Sequence, residues 1–298
     1  MPLTPPTILY NPHGSLLFNS CDNLTTIQVP AESVELYKSA DGWSEYADLI
    51  IGFDENIIEF EDQIVKSICI ENWDTDNDGE LSYSEAATIK TLSDVFSYNE
   101  EIETFNELQY FTGLASINSW AFYSCKELSQ ITLPSNVVSL GDYSFCGCIN
   151  LDNIVLPETL ETLGDNVFNF CENLEEIEIP NTVKIIPERA FEYCYALKSI
   201  TLYDGLTSIG NRAFCCCQEL TSIDLPSTLE SIGSEAFNTC TSLQQINVNA
   251  EIPPIIDVNG YWLSGAPLTS IQVPAESVEL YKNADGWREY ADLIVGIE

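Results

Sequence analysis

The chain has 298 residues, of which 45% are hydrophobic, enough to build a core within one to three domains. It carries 47 acidic and 10 basic residues, a formal net charge of −37. This balance excludes the basic surfaces with which proteins bind nucleic acid or anionic membranes. No apolar stretch approaches the roughly 20 residues that span a bilayer, so membrane insertion is not expected.

Residues 1–52 are predicted to be the end of an upstream module. The segment 24–52 recurs at 268–296 with 25 of 29 positions identical, and Phe18, Cys21 and Leu24 keep the spacing of one repeat of the array described below. We therefore expect a tail repeat followed by a cap. The alternative is that residues 14–52 fold back as a private N-terminal cap. The start of the chain lacks the basic region and apolar core of a signal peptide.

Residues 53–106 are predicted to form a small helical connector, because apolar residues recur at helical spacing in 57–73 and in 84–96. Between these helices, residues 74–85 match a twelve-residue EF-hand calcium loop. Such a loop converges carboxylates from its alternating positions on one ion, and a glycine permits the sharp turn. The predicted calcium ligands are Asp74, Asp76, Asp78, the backbone carbonyl of Glu80, Ser82 and Glu85.

The predicted calcium ion is interpreted as structural. The sequence holds one complete loop, whereas calcium sensors usually pair two, and Leu81 at the eighth loop position has no visible sister loop to pair with. We expect the ion to fix the connector against the first repeat.

Residues 107–250 are predicted to form a solenoid with a 23-residue period. Phe, Cys, Leu and Ile each recur at this spacing without an insertion between Phe122 and Val248. A fixed period in the twenties indicates repeats that bury their apolar faces against one another. The cysteine ladder consists of Cys125, Cys148, Cys171, Cys194, Cys217 and Cys240. The first repeat, around 105–117, fits either a 23- or a 26-residue phase.

Each repeat is predicted to contain a short strand ended by proline, a second extended piece and a tight helical turn over Ala-Phe-x-x-Cys. Strands stacked in this way are parallel and buried on their inner side. The ladder cysteines lie between Phe and Leu at core positions, so we expect buried thiols. Neighbouring coils lie about 4.8 Å apart, a distance that leaves a disulfide possible.

Residues 251–298 are predicted to cap the array, since a solenoid needs an atypical end to cover its last apolar face. The sequence favours a strand ending at Pro274, followed by an amphipathic helix. The apolar face of this helix would carry Val278, Leu280, Tyr281, Trp287, Tyr290 and Leu293.

The stretches Ala-Phe-x-x-Cys-x-x-Leu-x-x-Ile-x-Leu-Pro between Ala121 and Ile246 resemble the BspA-like leucine-rich repeats of bacterial surface proteins. Both copies of Val-Pro-Ala-Glu-Ser-Val look like the terminal segments of that family. The resemblance implies a leucine-rich-repeat solenoid of a cell-surface or secreted protein. It also implies a protein partner, such as a host matrix or neighbouring-cell protein.

Catalysis is not expected, because the single histidine, His13, lies near the start of the chain. A Cys/His or Ser/His/Asp mechanism needs a buried and positioned base. Chance pairs of carboxylates are expected among 47 acids, so a glycosidase is not favoured either.

We therefore predict a calcium-stabilised binding module. The outward strand positions are small and polar, whereas aromatic residues and arginine dominate binding hot spots. The candidate ligand-binding residues are Tyr193, Tyr195, Tyr203 and Arg212. Two alternatives remain: a structural spacer, and an accessory module that targets a glycan- or protein-processing enzyme to its substrate.

Overall fold

The computed structural model describes residue 18 and residues 24–30, 33–53, 56–257 and 261–297. The chain divides into two compact units, Met1–Glu59 with Cys69–Ala86, and Phe60–Ile68 with Ala87–Glu298. No helix within the described residues is both long and apolar enough to cross a membrane. His13 and Cys21 lie outside the described residues, as does most of the segment on which the expected upstream repeat depends.

In the first unit, the N-terminal segment folds as a strand, a short helix and a second strand. Strand β1 (Ile27–Pro30) is followed by helix α1 (Val34–Ser39), a 3-10 turn (Ser44–Leu49) and strand β2 (Ile50–Phe53). The two strands pair in parallel. Their small core is formed by Val29, Trp43 and Ile50.

The connector helices are shorter than the sequence predicts. Helix α2 spans Gln63–Trp73 and helix α3 spans Tyr83–Thr88, whereas helical spacing predicted 57–73 and 84–96. Helix α2 begins late because the Asp62 carboxylate accepts hydrogen bonds from the N–H groups of Ile64 (2.8 Å) and Val65 (3.3 Å). Carboxylates at a helix N-cap satisfy free backbone donors in this way. The second predicted helix was also wrong, over its last eight residues.

The second unit is built from short parallel strands arranged in two rows. In chain order they are β3 (Thr104–Phe105), β4 (Ser116–Ile117), β5 (Gln130–Ile131), β6 (Ser139–Leu140), β7 (Thr162–Leu163), β8 (Glu176–Glu178), β9 (Ile185–Ile186), β10 (Ser199–Thr201), β11 (Ser208–Ile209), β12 (Ser222–Leu225), β13 (Ser231–Ile232), β14 (Gln245–Val248), β15 (Ile255–Ile256), β16 (Ser270–Pro274) and β17 (Ile294–Ile297). Paired residues of successive coils are mostly 23 positions apart, as in Ile177↔Ile200 and Ile223↔Ile246.

The first coil contains an insertion. Strand β3 pairs with β5 through partners 26 positions apart, Phe105↔Ile131. Strand β4 pairs with β6 through partners 23 positions apart, Ile117↔Leu140. The extra residues therefore lie between β3 and β4, where a 3-10 turn occupies Asn106–Tyr110. Both phases left open by the sequence are present, one on each side of this insertion.

The core of the array consists of stacked side-chain ladders. The rings of Phe122, Phe145, Phe168, Phe191, Phe214 and Phe237 stack on one another with centroid separations of 5.2 to 5.6 Å. Phe96 extends the stack before Phe122, at 5.4 Å. The six ladder cysteines are buried free thiols, which confirms the prediction made for them.

The Ala-Phe-x-x-Cys segments are successive tight turns, so the predicted helical turn is corrected. Each turn contains residues in the left-handed backbone region, such as Arg212 (φ 56°) before the alanine and Cys216 (φ 66°) before the ladder cysteine. Left-handed residues occur singly and break a right-handed helix. The same conformation occurs at Trp120, Tyr143, Asn166, Phe170, Arg189, Tyr193, Glu235 and Thr239.

The C-terminal segment has a broken helix and an additional strand. Helix α4 spans only Val278–Asn283, and a 3-10 turn follows at Arg288–Leu293. Leu280, which was expected on the buried face, is 52% exposed. Strand β17 was not predicted, and it pairs in parallel with β16.

Two aromatic side chains of the C-terminal segment are bonded to the coil that precedes it. The Tyr281 hydroxyl donates to the carbonyl of Ala250 (2.7 Å), and the Trp287 indole N–H donates to the carbonyl of Pro254 (2.8 Å). Both side chains are fully buried. They therefore cover apolar surface while satisfying backbone carbonyls at the end of the array.

Candidate functional site

The acidic loop brings three of the predicted calcium ligands together. Carboxylate oxygens of Asp74, Asp76 and Asp78 all lie within 4.8 Å of one another. Calcium binds oxygen at about 2.3–2.6 Å, so two ligands on opposite sides of one ion lie about 5 Å apart. The spacing of these oxygens therefore fits a single calcium ion.

The backbone of the loop is folded around Asp74. Its two carboxylate oxygens accept hydrogen bonds from the N–H groups of Asn77 (2.7 Å) and Gly79 (3.0 Å). Asn77 and Gly79 both have positive φ, at 61° and 86°. Glycine adopts such a conformation without steric cost, which explains why this residue stands at the sharpest part of the turn.

Glu85 closes the loop through hydrogen bonds to its two ends. One carboxylate oxygen accepts from the N–H (2.7 Å) and hydroxyl (2.8 Å) of Thr75, and the other accepts from the N–H and hydroxyl of Ser82 (both 3.0 Å). Burial raises the pKa of Glu85, but the bonds from Ser82 and Thr75 outweigh it, so the pKa lies below its ordinary value. Glu85 is thus bonded to Thr75 and Ser82, and its charge also acts on Asp76 of the three-aspartate cluster.

The surroundings of Asp76 oppose its ionisation. Its pKa is raised, chiefly by burial and further by the charges of Asp78, Glu85 and Asp74, against a hydrogen bond from the Asp78 N–H that lowers it. Like charges held this close disfavour the ionised form. A bound cation would remove this repulsion.

The eighth loop position has a partner after all. Ile58 donates its N–H to the carbonyl of Leu81 (2.8 Å), Tyr83 donates to Asn56 (3.0 Å), and Ile57 forms an antiparallel bridge with Ser82. The Leu81 side chain is fully buried. This partner is a segment before α2, which takes the place that a sister loop occupies in paired EF-hands.

The strand face, formed by the outward side chains of β5, residues 153–156, β8, β10, β12 and β14, carries a hollow of about 610 Å³. Val155 is 75% exposed there, and Tyr203 is 42% exposed. The Tyr203 hydroxyl donates to the carboxylate of Glu178, and this bond raises the pKa of Tyr203. The hollow is also lined by Glu158 and Glu176.

The four candidate ligand-binding residues do not form one site. Tyr203 lines the hollow, whereas Tyr193, Tyr195 and Arg212 belong to the turns. Tyr193 stacks on Phe170 at 4.5 Å and meets Tyr195 edge-on at 5.9 Å. The sequence placed them in adjacent repeats but could not separate strand positions from turn positions.

Arg212 is bound into an ion-pair network. Its guanidinium contacts the carboxylates of Glu192 (3.0 Å) and Glu235 (3.3 Å), and Arg189 contacts Glu192 from the other side (3.5 Å). Glu192 is only 3% exposed. Burial raises its pKa, the charges of Arg212 and Arg189 oppose that rise, and Glu235 and Glu188 reinforce it. Arg212 is therefore already paired within the protein, where it compensates the buried charge of Glu192.

A cluster of exposed aromatic residues on the turns was missed. Trp120 stacks on Tyr143 at 4.3 Å and contacts Tyr123 at 4.6 Å, and Tyr98 meets Tyr123 at 5.0 Å. Tyr98 is 68% exposed. The 23-residue separation of Trp120 and Tyr143 was the signal that could have found this cluster.

The comparisons with known proteins agree with this architecture. A family model described as BspA type leucine rich repeat region matches residues 90–183 and 161–284, which together exceed half of the chain. The chain belongs to the BspA-type leucine-rich repeat family. The match to this BspA-type family begins near residue 90, just before the turn at 93–98 whose Phe96 starts the ring stack.

Solved structures similar to this BspA-type chain are bacterial leucine-rich repeat proteins. One is a leucine rich cell surface protein from Faecalibacterium prausnitzii A2-165, with 27% identity over 56% of this chain and 54% of that chain, and a TM-score of 0.43. A leucine rich repeat protein of T. pallidum has 24% identity over 59% and 86%, with a TM-score of 0.42. One from Bacteroides ovatus has 17% identity over 82% and 91%, with a TM-score of 0.31.

The chain spans about half the length of the F. prausnitzii protein. No curated protein sequence matches the chain.

Proposed function

We propose that this chain is a non-catalytic, calcium-stabilised binding module of a bacterial cell-surface or secreted protein, and that its strand face contacts a protein partner. The observation that carries the proposal is the strand face itself. Its outward residues Glu178, Thr201 and Asp224 are exposed on paired strands. Binding surfaces held by rigid elements lose little entropy when a partner docks.

The acidic loop supports the calcium part of the proposal. Asp74, Asp76 and Asp78 would hold the ion. The backbone carbonyl of Glu80 and the side-chain oxygens of Ser82 and Glu85 would complete the site. Calcium prefers such hard oxygen ligands, and millimolar extracellular concentrations suit even weak sites. The ion would stabilise the loop and the pairing of Leu81 with Ile58.

The surface location is supported by the relatives. One similar protein is described as a cell surface protein. The composition agrees with this setting, because a net charge of −37 keeps a protein soluble and favours cationic partners.

A crosslinking experiment tests the proposed function. A photoreactive amino acid would replace Thr201 or Asp224 on the strand face, and Glu127 or Glu219 on exposed turns as controls. Each variant would be incubated with host matrix proteins and with host cells, and adducts would be identified by mass spectrometry. We expect adducts from the strand-face positions. Adducts from the turns alone contradict the proposal, and adducts from neither set favour a structural spacer.

A further inference from the structure

The strand face is interrupted at one coil. Strands β5 and β8 belong to the coils on either side, but residues 153–156, which occupy the equivalent position between them, form no strand. Glu175 donates its N–H to the carbonyl of Asp152 (3.2 Å), just before this stretch. Within the described part of the chain, no backbone hydrogen bond reaches residues 153–156. The row of strands is therefore irregular at this coil.

The hollow lies at this interruption, since residues 153–156 line it together with β8. Side chains here depart from the small polar residues of the remaining face. Val155 exposes 75% of its surface at an outward position. Tyr203 stands where the other repeats have proline, as at Pro180 and Pro226. The interruption thus combines a hollow with exposed apolar surface.

The charges around the hollow all have one sign. Glu158, Glu176 and Glu178 are among its lining residues, whereas lysine and arginine are absent from that lining. Glu176 and Glu178 stand on the same side of β8 and are both exposed. Since the whole chain has a net charge of −37, a cationic group is attracted both at long range and at the hollow itself.

We propose that the hollow binds an extended basic peptide segment of a protein partner. This inference rests on the proposed function and names the chemistry of the partner. An arginine or lysine of the segment would pair with Glu176 and Glu178, and an apolar side chain two positions along would pack on Val155. Alternate side chains of an extended peptide point the same way, so both would face the hollow together.

Binding of a defined probe tests the inference. The probe is a short fluorescent peptide in which arginine and valine take turns at every second position, separated by serine, and its binding to the full chain would be followed by fluorescence anisotropy at low and high salt. The same peptide with glutamate in place of arginine tests the charge.

Matched variants separate the hollow from the overall charge. The double variant Glu176→Gln, Glu178→Gln should weaken binding of the arginine–valine peptide by about fivefold or more, the effect of losing two exposed ion pairs. The control Glu219→Gln, Glu230→Gln removes the same charge at exposed positions elsewhere and should leave binding nearly unchanged. Val155→Lys places a cation in the hollow and should abolish binding without disturbing the core.

The inference is overturned if the arginine–valine peptide does not bind, if the glutamate peptide binds equally well, or if both double variants lose affinity alike. If crosslinks at Thr201 and Asp224 capture a partner while the arginine–valine peptide fails to bind, the proposed function stands and this inference alone falls.

Discussion

The thiol of Cys148 donates a hydrogen bond to the backbone carbonyl of Phe122 in the preceding coil, at 3.1 Å. The same bond recurs along the ladder, at 3.1 to 3.3 Å, from Cys125, Cys171, Cys194, Cys217 and Cys240. Each of these carbonyls also accepts a backbone hydrogen bond, as that of Phe122 does from the N–H of Cys125 (3.2 Å). Each ladder cysteine therefore fills core volume and adds a second donor to its carbonyl.

Cys171→Ala tests this double role. The variant removes one of two donors to the carbonyl of Phe145, since the bond from the Cys148 N–H remains, and it leaves a small cavity. We therefore expect a loss of about 1–2 kcal/mol in the free energy of unfolding. Denaturant unfolding measures it. Cys216→Ala, at a half-exposed position of the same turn type, is the control and should change stability by less than about 0.5 kcal/mol. Equal small losses would show that the thiol bond contributes nothing.

The thiols should differ in reactivity. Burial raises the pKa of Cys125 to about 12, and burial together with the neighbouring Cys216 raises that of Cys215 to about 12. Only the thiolate is nucleophilic, so these groups should resist an alkylating reagent at neutral pH in the folded protein. Cys216, which is half-exposed, should be modified first. Peptide mass spectrometry before and after denaturation measures the order in which the thiols are alkylated. Rapid labelling of Cys125 in the folded chain would contradict the expected order.

Much of the array could be predicted from its sequence, because its period is enforced by identical residues at identical places. Phe145 and Phe168 must stack when their coils stack, and Ile177 must lie inward when Glu176 and Glu178 lie outward. A single pattern therefore fixed the strands, the ladders and the buried thiols together.

Other features depend on information that periodicity does not carry. Arg212 and Cys216 adopt left-handed backbone conformations that their residue types do not indicate. The sequence therefore predicted helical turns where the structure has successive tight turns. The pairing of Ile58 with Leu81 joins segments on either side of a helix. The hollow arises where residues 153–156 fail to pair, although the Ile154 and Leu156 pattern is intact.

Calcium should stabilise the chain through the acidic loop. At a hundredfold excess over its Kd, the ion adds about 2.7 kcal/mol to the free energy of unfolding. Calorimetric titration of chelator-treated protein should give one binding event, and the melting temperature should rise. Both effects should vanish in Asp74→Ala, Glu85→Ala and persist in the matched control Asp94→Ala, Glu101→Ala. If the parent chain shows neither a heat of binding nor a rise in melting temperature, the calcium assignment is contradicted.

Glu192 should make stability depend on pH. Its folded pKa is raised above the ordinary value of 4.5, chiefly by burial and despite the charges of Arg212 and Arg189. A carboxyl with a raised folded pKa contributes stability below its unfolded pKa and loses it as pH rises through the folded value. The parent chain should therefore lose stability relative to Glu192→Gln as pH rises from below 4.5. Denaturant unfolding of both chains across this range measures the difference.

A trend of opposite sign, in which the parent gains on Glu192→Gln with rising pH, would show that the two arginines more than offset the burial of this carboxylate. Glu219→Gln, at an exposed position, controls for the general effect of removing one charge.

The parallel pairing of successive coils has a mechanical consequence. The hydrogen bonds between coils, such as those joining β12, β14 and β16, connect each coil only to its two neighbours. A force that draws coils apart from one end would load these bonds one coil at a time. Each coil of 23 residues would then release about 80 Å of chain. Under tension, the array would lengthen in even steps and so limit the force transmitted to whatever it holds.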